Sequence, residues 1–255
     1  MKIGFPNNPR KNILEEIEWI GRNGFDFVDL FLEEDQAVPE KIDIQKVREL
    51  LQKYGLGVVG HTAWYLPIGS PVPSLREAAI SELQRYFEFF SKLKVNYVTI
   101  HANWPPAMFS TKEGIEFQVE TLRKLVENAK ERGIDLMYEP VDTRQDDIEA
   151  VSEILERVPN LYLHIDIGHA NLFGRKPEPF IEKFYRRLRH VHMDDNDGIR
   201  DLHIPLGAGR GIVNWKNLIE ILKQYYNGTI TLEIFSEDRD YVLLSKEKLK
   251  KWWGL

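Results

Sequence analysis

Two hydrophobic periodicities alternate along this chain. Short runs rich in β-branched and aromatic residues, at 2–5, 27–31, 57–62, 97–101, 135–139, 162–166, 190–193 and 229–234, read as strands. Between them, apolar positions recur at helical spacing over 12–23, 44–54, 75–93, 114–132, 146–157, 179–187 and 215–226, and a last helix at 242–253 closes the chain. Asn23-Gly24, Tyr54-Gly55 and Arg132-Gly133 each place a helix-stop glycine just before the next strand. Strands alternating with helices of this length imply βαβ units and a parallel sheet. Eight of each in 255 residues favour one α/β domain, a single (β/α)8 TIM barrel over 1–255, rather than an open doubly wound sheet. No G-x-G-x-x-G follows the first strand, which removes the main signal of a dinucleotide fold. No linker or low-complexity stretch divides the chain.

Composition narrows the chemistry. A hydrophobic fraction of 43%, with 13 Phe, 10 Tyr and 6 Trp, is ample for a packed core. The absence of Cys excludes disulfides and thiolate ligands, so any metal must be held by nitrogen and oxygen. A net charge of -6 and a pI near 5.7 argue against a broad phosphate-binding face. The opening Met1-Lys2-Ile3-Gly4-Phe5-Pro6 reaches Pro, Asn and Arg too soon for a signal peptide, and no run approaches the roughly 20 apolar residues of a membrane span. A cytoplasmic enzyme with no membrane partner is the expectation. Asn227-Gly228-Thr229 matches the glycosylation sequon but reads as the turn before the last strand.

Ligand chemistry collects at the strand ends, which in such barrels form the active face. Leu136-Met137-Tyr138-Glu139, Leu163-His164-Ile165-Asp166, His190-Val191-His192 and Thr231-Leu232-Glu233 each end in a metal-ligand type. His61 and His101 end two earlier strands, and His169 and the Asp201-Leu202-His203 triplet follow on loops. A lone His at a strand end is usually a hydrogen-bonded core or rim residue, and a lone Glu is usually solvated. The joint pattern of Glu139, Asp166, His192 and Glu233 reads instead as a divalent-metal site. Carboxylate and imidazole ligands suit Zn, Mn, Co or Mg, and an open coordination position leaves room for a substrate oxygen. His164 and His190, one layer deeper on the same strand faces, read as buried hydrogen bonders rather than ligands.

Three segments carry a family resemblance. They are His164-Ile-Asp166-Ile-Gly168-His169-Ala-Asn171, His190-Val-His192-Met-Asp194-Asp195-Asn196-Asp-Gly198 and Asp201-Leu-His203-Ile-Pro-Leu-Gly207-Ala-Gly209. Together they resemble the xylose-isomerase-like TIM-barrel superfamily, which includes sugar and sugar-phosphate isomerases and epimerases, inosose-processing enzymes and endonuclease IV. The resemblance runs from the first strand to Glu233. In the ketose epimerase and inosose branches it implies one metal held by Glu139, Asp166, His192 and Glu233. There the two glutamates double as the acid–base pair, and His169 lies near the substrate. One departure is visible: the Arg that epimerases place after the metal His has no counterpart, and Gly198 occupies that neighbourhood. In endonuclease IV three zinc ions are bound by nine ligands, which resemble His61, His101, Glu139, Asp166, His169, His192, Asp201, His203 and Glu233. His61, His101, Asp201 and His203 are therefore candidates for further metal or substrate binding, and the resemblance leaves room for more than one ion.

Three functions follow. The favoured one is a metal-dependent isomerase or epimerase of a small sugar, sugar phosphate or polyol, working through a metal-stabilised enediolate with Glu139 and Glu233 moving the proton. An inosose dehydratase-like lyase shares that opening step. Trp64 and Trp104, with Tyr65, would wall the sugar's C–H faces, or pack the rim. Arg210, between Gly207 and Gly211, could hold a phosphate or be a solvated loop cation. The alternative is an endonuclease IV-like multi-zinc phosphodiesterase acting on abasic DNA. It needs cationic loops at the mouth, where Arg10, Arg144, Arg175, Arg200 and Arg210 are set beside Asp142, Asp146, Asp194, Asp195 and Asp197. The third is a non-catalytic barrel that binds or scaffolds. The sequence names neither the sugar nor the ion, and a homo-oligomer stays open.

Overall fold

The computed structural model describes residues 1–141, 143–209 and 212–255. Its strands are β1 (Lys2–Pro6), β2 (Phe27–Leu32), β3 (Gly57–Thr62), β4 (Tyr97–His101), β5 (Asp135–Glu139), β6 (Tyr162–Asp166), β7 (Leu188–Met193) and β8 (Thr229–Leu232). Each pairs in parallel with the next, and β1 pairs with β8, so the sheet closes into a (β/α)8 barrel. Around it run α1 (Ile13–Arg22), α2 (Ile44–Tyr54), α3 (Pro73–Lys92), α4 (Thr111–Glu131), α5 (Ile148–Arg157), α6 (Ile167–Ala170), α7 (Pro177–Phe184), α8 (Trp215–Tyr225) and α9 (Asp240–Trp253). No helix among the described residues is long and apolar enough to cross a membrane.

Local chemistry explains where the elements start. The Asn12 side chain accepts from the Leu14 and Glu15 amides and starts α1, which buries Ile13, Ile17 and Ile20 along one stripe. Ser110 and Glu113 form a capping box, so α4 begins three residues before the periodicity predicts. Asp147 caps α5 through the Ala150 amide, which leaves Asp146 in the loop rather than in the helix. β7 begins two residues earlier than expected, and β8 ends at Leu232, so Glu233 stands one residue beyond it. Its amide still donates to the Met193 carbonyl at 3.2 Å, which continues the ladder. The sequence placed His169 on a loop, but it lies on the one-turn helix α6, too short to show a period.

Strand alternation sorts the barrel interior into layers. At the bottom Phe27, Val59 and Met137 pack together with the half-buried Tyr97 and Tyr162. Above them Asp29, Thr99, His164, His190 and Thr231 are fully buried. The third layer, at the C-terminal mouth, holds His61, His101, Glu139, Asp166, His192 and Glu233. Barrel interiors are normally filled by branched aliphatic side chains. Here the apolar filling above the first layer is reduced to Phe31, and aliphatic packing is moved to the shell between strands and helices.

The bottom layer depends on a close approach. A Cβ on Gly4 would stand 2.3 Å from the Phe27 ring, which is itself wedged among Val59 and Met137. Gly4→Ala should therefore destabilise the fold by about 1–3 kcal/mol through overpacking. Equilibrium urea denaturation checks this, and a change within the scatter of surface substitutions would show that the plug yields.

Candidate metal centre

All seven histidines of the chain lie in the upper two interior layers or on the segments above them, His169 on α6 and His203 on the loop after β7. Glu139, Asp166, His192 and Glu233 each offer one ligand atom, and these atoms lie within 4.8 Å of one another. His192 Nδ1 is 2.9 Å from Glu233 Oε2, 3.8 Å from Asp166 Oδ2 and 3.9 Å from Glu139 Oε1. Two of the three carboxylates are oriented by what the other oxygen does. Asp166 Oδ1 accepts the His169 amide at 2.7 Å, capping α6, and leaves Oδ2 buried without a partner. Glu139 Oε2 lies 3.2 Å from His61 Nε2, 3.2 Å from His101 Nε2 and 3.1 Å from His164 Nδ1, which leaves Oε1 for the centre. The Phe31 ring stacks on His61 with centroids 3.9 Å apart and holds it there.

A second group sits beside the first. Asp201 Oδ2 lies 3.2 Å from His169 Nε2 and 2.7 Å from His203 Nε2, and Asp201 Oδ1 has no partner. His203 Nδ1 faces Glu233 Oε2 at 3.6 Å and Asp194 Oδ2 at 3.7 Å, linking the groups. His61 and His101 are not joined to His203. They come from β3 and β4 and converge on Glu139, whereas the loop after β7 carries His203 over β8, where its carbonyl accepts the Phe235 amide. Trp64 and Trp104 line a cavity of about 1170 Å3 that opens above these groups, together with Phe31, Glu33 and Phe235. Arg210 lies outside the described residues.

The motif glycines and acids are explained by packing. A Cβ on Gly168 would fall 2.5 Å from both Asp194 oxygens, so only glycine lets α6 lie against that carboxylate. Asp195 accepts the Trp215 indole N–H and the Gly207 amide, while Asn196 donates to the Gly168 carbonyl and accepts from Asn171. Gly198 turns the chain at φ 76, and Arg200 beyond it pairs with Asp197 at the surface.

The electrostatics describe a site short of a cation. Burial pushes the Glu233 carboxyl up, but His192 and His203 outweigh it and hold it at about 2. Burial raises Asp166 to about 6 against the pull of His169. Burial alone would lower His203, yet Glu233, Asp201 and Asp194 lift it to about 10. His169 and His192 are lifted well above the ordinary range in the same way, whereas burial takes His101 down to about 3. Protons on His169, His192 and His203 thus balance carboxylates that a divalent ion would balance more directly. The donor set fits such an ion: three carboxylates and one imidazole come together, and one of the carboxylate oxygens, Asp166 Oδ2, has no hydrogen-bond partner.

Two contributors escaped the sequence reading. Asp29 sits at the centre of β2, and its Oδ2 takes His192 Nε2 at 2.7 Å. The signal was a charged residue on the inward face of an otherwise apolar strand, a position Asp occupies only when paired. Glu33, just past β2, faces His61 and Glu233 from the cavity wall, and burial raises its carboxyl.

Fold and site together define a barrel with a buried carboxylate–imidazole cluster at its mouth. The chain belongs to the xylose isomerase-like TIM barrel family, whose model matches residues 17–253. It is 28% identical over 255 aligned residues to an uncharacterized protein of Methanocaldococcus jannaschii, covering 95% of this chain and 85% of that one. It is 23% identical over 228 residues to fructoselysine 3-epimerase of Escherichia coli O157:H7, covering 81% and 80%. Among solved structures, a D-tagatose 3-epimerase-like protein superimposes with a TM-score of 0.88 at 27% identity, covering 100% of this chain and 97% of that one. IOLI protein with a binding zinc atom superimposes with a TM-score of 0.79 at 19% identity, covering 100% and 95%.

The raised imidazoles make a pH prediction. His203 moves from 6.5 to about 10 on folding, so its contribution to metal-free stability is complete below pH 6.5 and is lost as pH rises toward 10. Chelator-treated protein should show a denaturation midpoint that falls across that window, and His203→Asn should flatten the fall. A midpoint level with pH in the wild type would contradict the charge balance.

Proposed function

We propose that this protein is a divalent-metal-dependent epimerase or isomerase of a ketose, sugar phosphate or polyol. One observation carries the reading: the carboxylates of Glu139 and Glu233, from strands three apart around the barrel, meet beside Asp166 and His192 at the floor of one cavity. Glu139, Asp166, His192 and Glu233 would hold the ion. When bound, it supplies Lewis-acid polarisation of a substrate carbonyl, which acidifies the neighbouring C–H. The relatives named for 3-epimerisation support sugar chemistry on this scaffold.

The chain's own residues divide the remaining work. Glu233, the glutamate nearer the open cavity, takes the proton from the carbon next to the carbonyl. Glu139, acting in its protonated form, returns a proton, to the opposite face of that carbon in epimerisation or to the neighbouring carbon in isomerisation, with three imidazoles around its Oε2. His169, whose Nδ1 meets the Pro140 carbonyl and whose Nε2 meets Asp201, stands beside the pair and would donate to a substrate oxygen by giving up the Asp201 contact. Phe31, Trp64, Trp104 and Phe235 give apolar walls for the sugar's C–H faces.

The His169, Asp201 and His203 group favours a second reading, a multi-ion phosphodiesterase acting on abasic DNA. Its weakness is the mouth. Among the described residues there, Arg10, Arg200 and Arg239 are paired with Asp35, Asp197 and Glu16, which takes up cationic charge that would follow a phosphate backbone.

Glu233→Gln should lower turnover on a verified ketose by about 10²–10⁴-fold while circular dichroism and a cooperative unfolding transition show that the metal-free variant keeps its fold. Full turnover in that variant would remove Glu233 from the chemistry. Elemental analysis with a nicked-abasic-DNA assay separates the two readings: one ion per chain without incision supports the sugar enzyme, and several zinc ions with incision replace it.

A further inference from the structure

Strand β2 reads Phe27-Val28-Asp29-Leu30-Phe31-Leu32, and every residue in it is buried. Alternation sends Asp29 inward between the Phe27 plug and Phe31 under His61. A fully buried carboxylate is tolerated only when donors surround it. Asp29 Oδ2 receives three across the barrel, from β7 and β8: His192 Nε2 at 2.7 Å, Thr231 Oγ1 at 2.8 Å and His190 Nε2 at 3.1 Å. His190 is itself fixed by Thr229 Oγ1 at 2.7 Å from its Nδ1. A carboxylate accepts and does not donate, so the nitrogen that His192 turns to Asp29 must be an N–H. Its other nitrogen, Nδ1, faces Glu139, Asp166 and Glu233, and the N–H it turns to Glu233 Oε2 at 2.9 Å is the one that an ion would displace.

We infer that Asp29 is a positioning residue for the centre: it accepts the Nε2–H of His192 and so commits the Nδ1 lone pair of that imidazole to the ion. The inference rests on the metal reading above, but not on which sugar is processed. Of the three contacts the one to His192, at 2.7 Å, is the shortest, so the orientation of His192 is set from the strand facing it rather than by its own neighbours. A carboxylate behind a ligand imidazole also raises the basicity of the coordinating nitrogen, and losing such a partner typically costs about 10–100-fold in metal affinity.

The test compares wild type, Asp29→Asn and Thr231→Val by chelator competition with Zn or Mn, with urea denaturation of each metal-free protein alongside. Thr231→Val disturbs the same buried layer without touching the His192–Asp29 bond, so it controls for a purely structural role. The expected result is a loss of about 10–100-fold in ion affinity for Asp29→Asn, with Thr231→Val near wild type. Equal affinity in wild type and Asp29→Asn, or equal losses in the two variants, overturns the assignment and leaves the metal reading standing. Wild type that takes up no ion overturns both. Wild-type protein loaded with cadmium-113 and labelled with nitrogen-15 histidine decides the matter even where Asp29→Asn fails to fold. Coupling of cadmium to His192 Nδ1 supports the inference, and coupling to Nε2 overturns it.

Discussion

Three carboxylates, Glu139, Asp166 and Glu233, bring oxygens within 4.8 Å of one another inside the barrel mouth. Two unit charges at about 4 Å repel by roughly 4 kcal/mol in a medium of intermediate polarity, so the cluster is costly on its own. Much of the structure around it answers that cost. Imidazoles at Glu139 Oε2 and the α6 amide at Asp166 Oδ1 each take one oxygen and leave the other for the centre, and His192 Nδ1 meets Glu233 Oε2 inside it. The orphaned Asp166 Oδ2 marks where this compensation stops and where a cation would complete it.

The same demand explains why the barrel departs from an aliphatic interior. A layer of Asp29, Thr99, His164, His190 and Thr231 lies between the Phe27 plug and the mouth. Thr99 Oγ1 meets His164 Nδ1 at 3.1 Å, which connects that layer to Glu139. Hydrophobic stabilisation is left to the outer shell, where helix stripes such as Ile13, Ile17 and Ile20 each contribute about 1.5–3 kcal/mol. The interior is thereby free to carry polar groups whose geometry matters more than their transfer energy. The loops follow suit: Asp195 and Asn196 spend their side chains on Trp215, Gly207, Gly168 and Asn171, holding the segment after His192 against α6.

Much of this was legible in the residues. Period two and period 3.6 alternate clearly enough to locate every strand, and barrel closure places all strand ends on one face. Glu139, Asp166, His192 and Glu233 could therefore be grouped before any coordinates, as could His61 and His101. Element ends were less legible, because they are set by single side chains: the Ser110–Glu113 capping box starts α4, and Asp147 rather than Asp146 starts α5. The helix at Ile167–Ala170 was invisible because one turn has no period, so the capping role of Asp166 went unseen.

By itself the sequence determined the eightfold strand–helix alternation and the supply of nitrogen and oxygen ligands at the strand ends, because both follow from residue type and local period. The tertiary structure alone decided which atoms meet. That Oδ2 of Asp166 and Nδ1 of His192 face inward, that His203 joins His169 and Asp201 instead of His61 and His101, and that Asp29 reaches His192 from 163 residues away are consequences of closure and stagger. Contacts across a barrel interior join residues with no relation in sequence, so their partners exist only once the last strand pairs with the first.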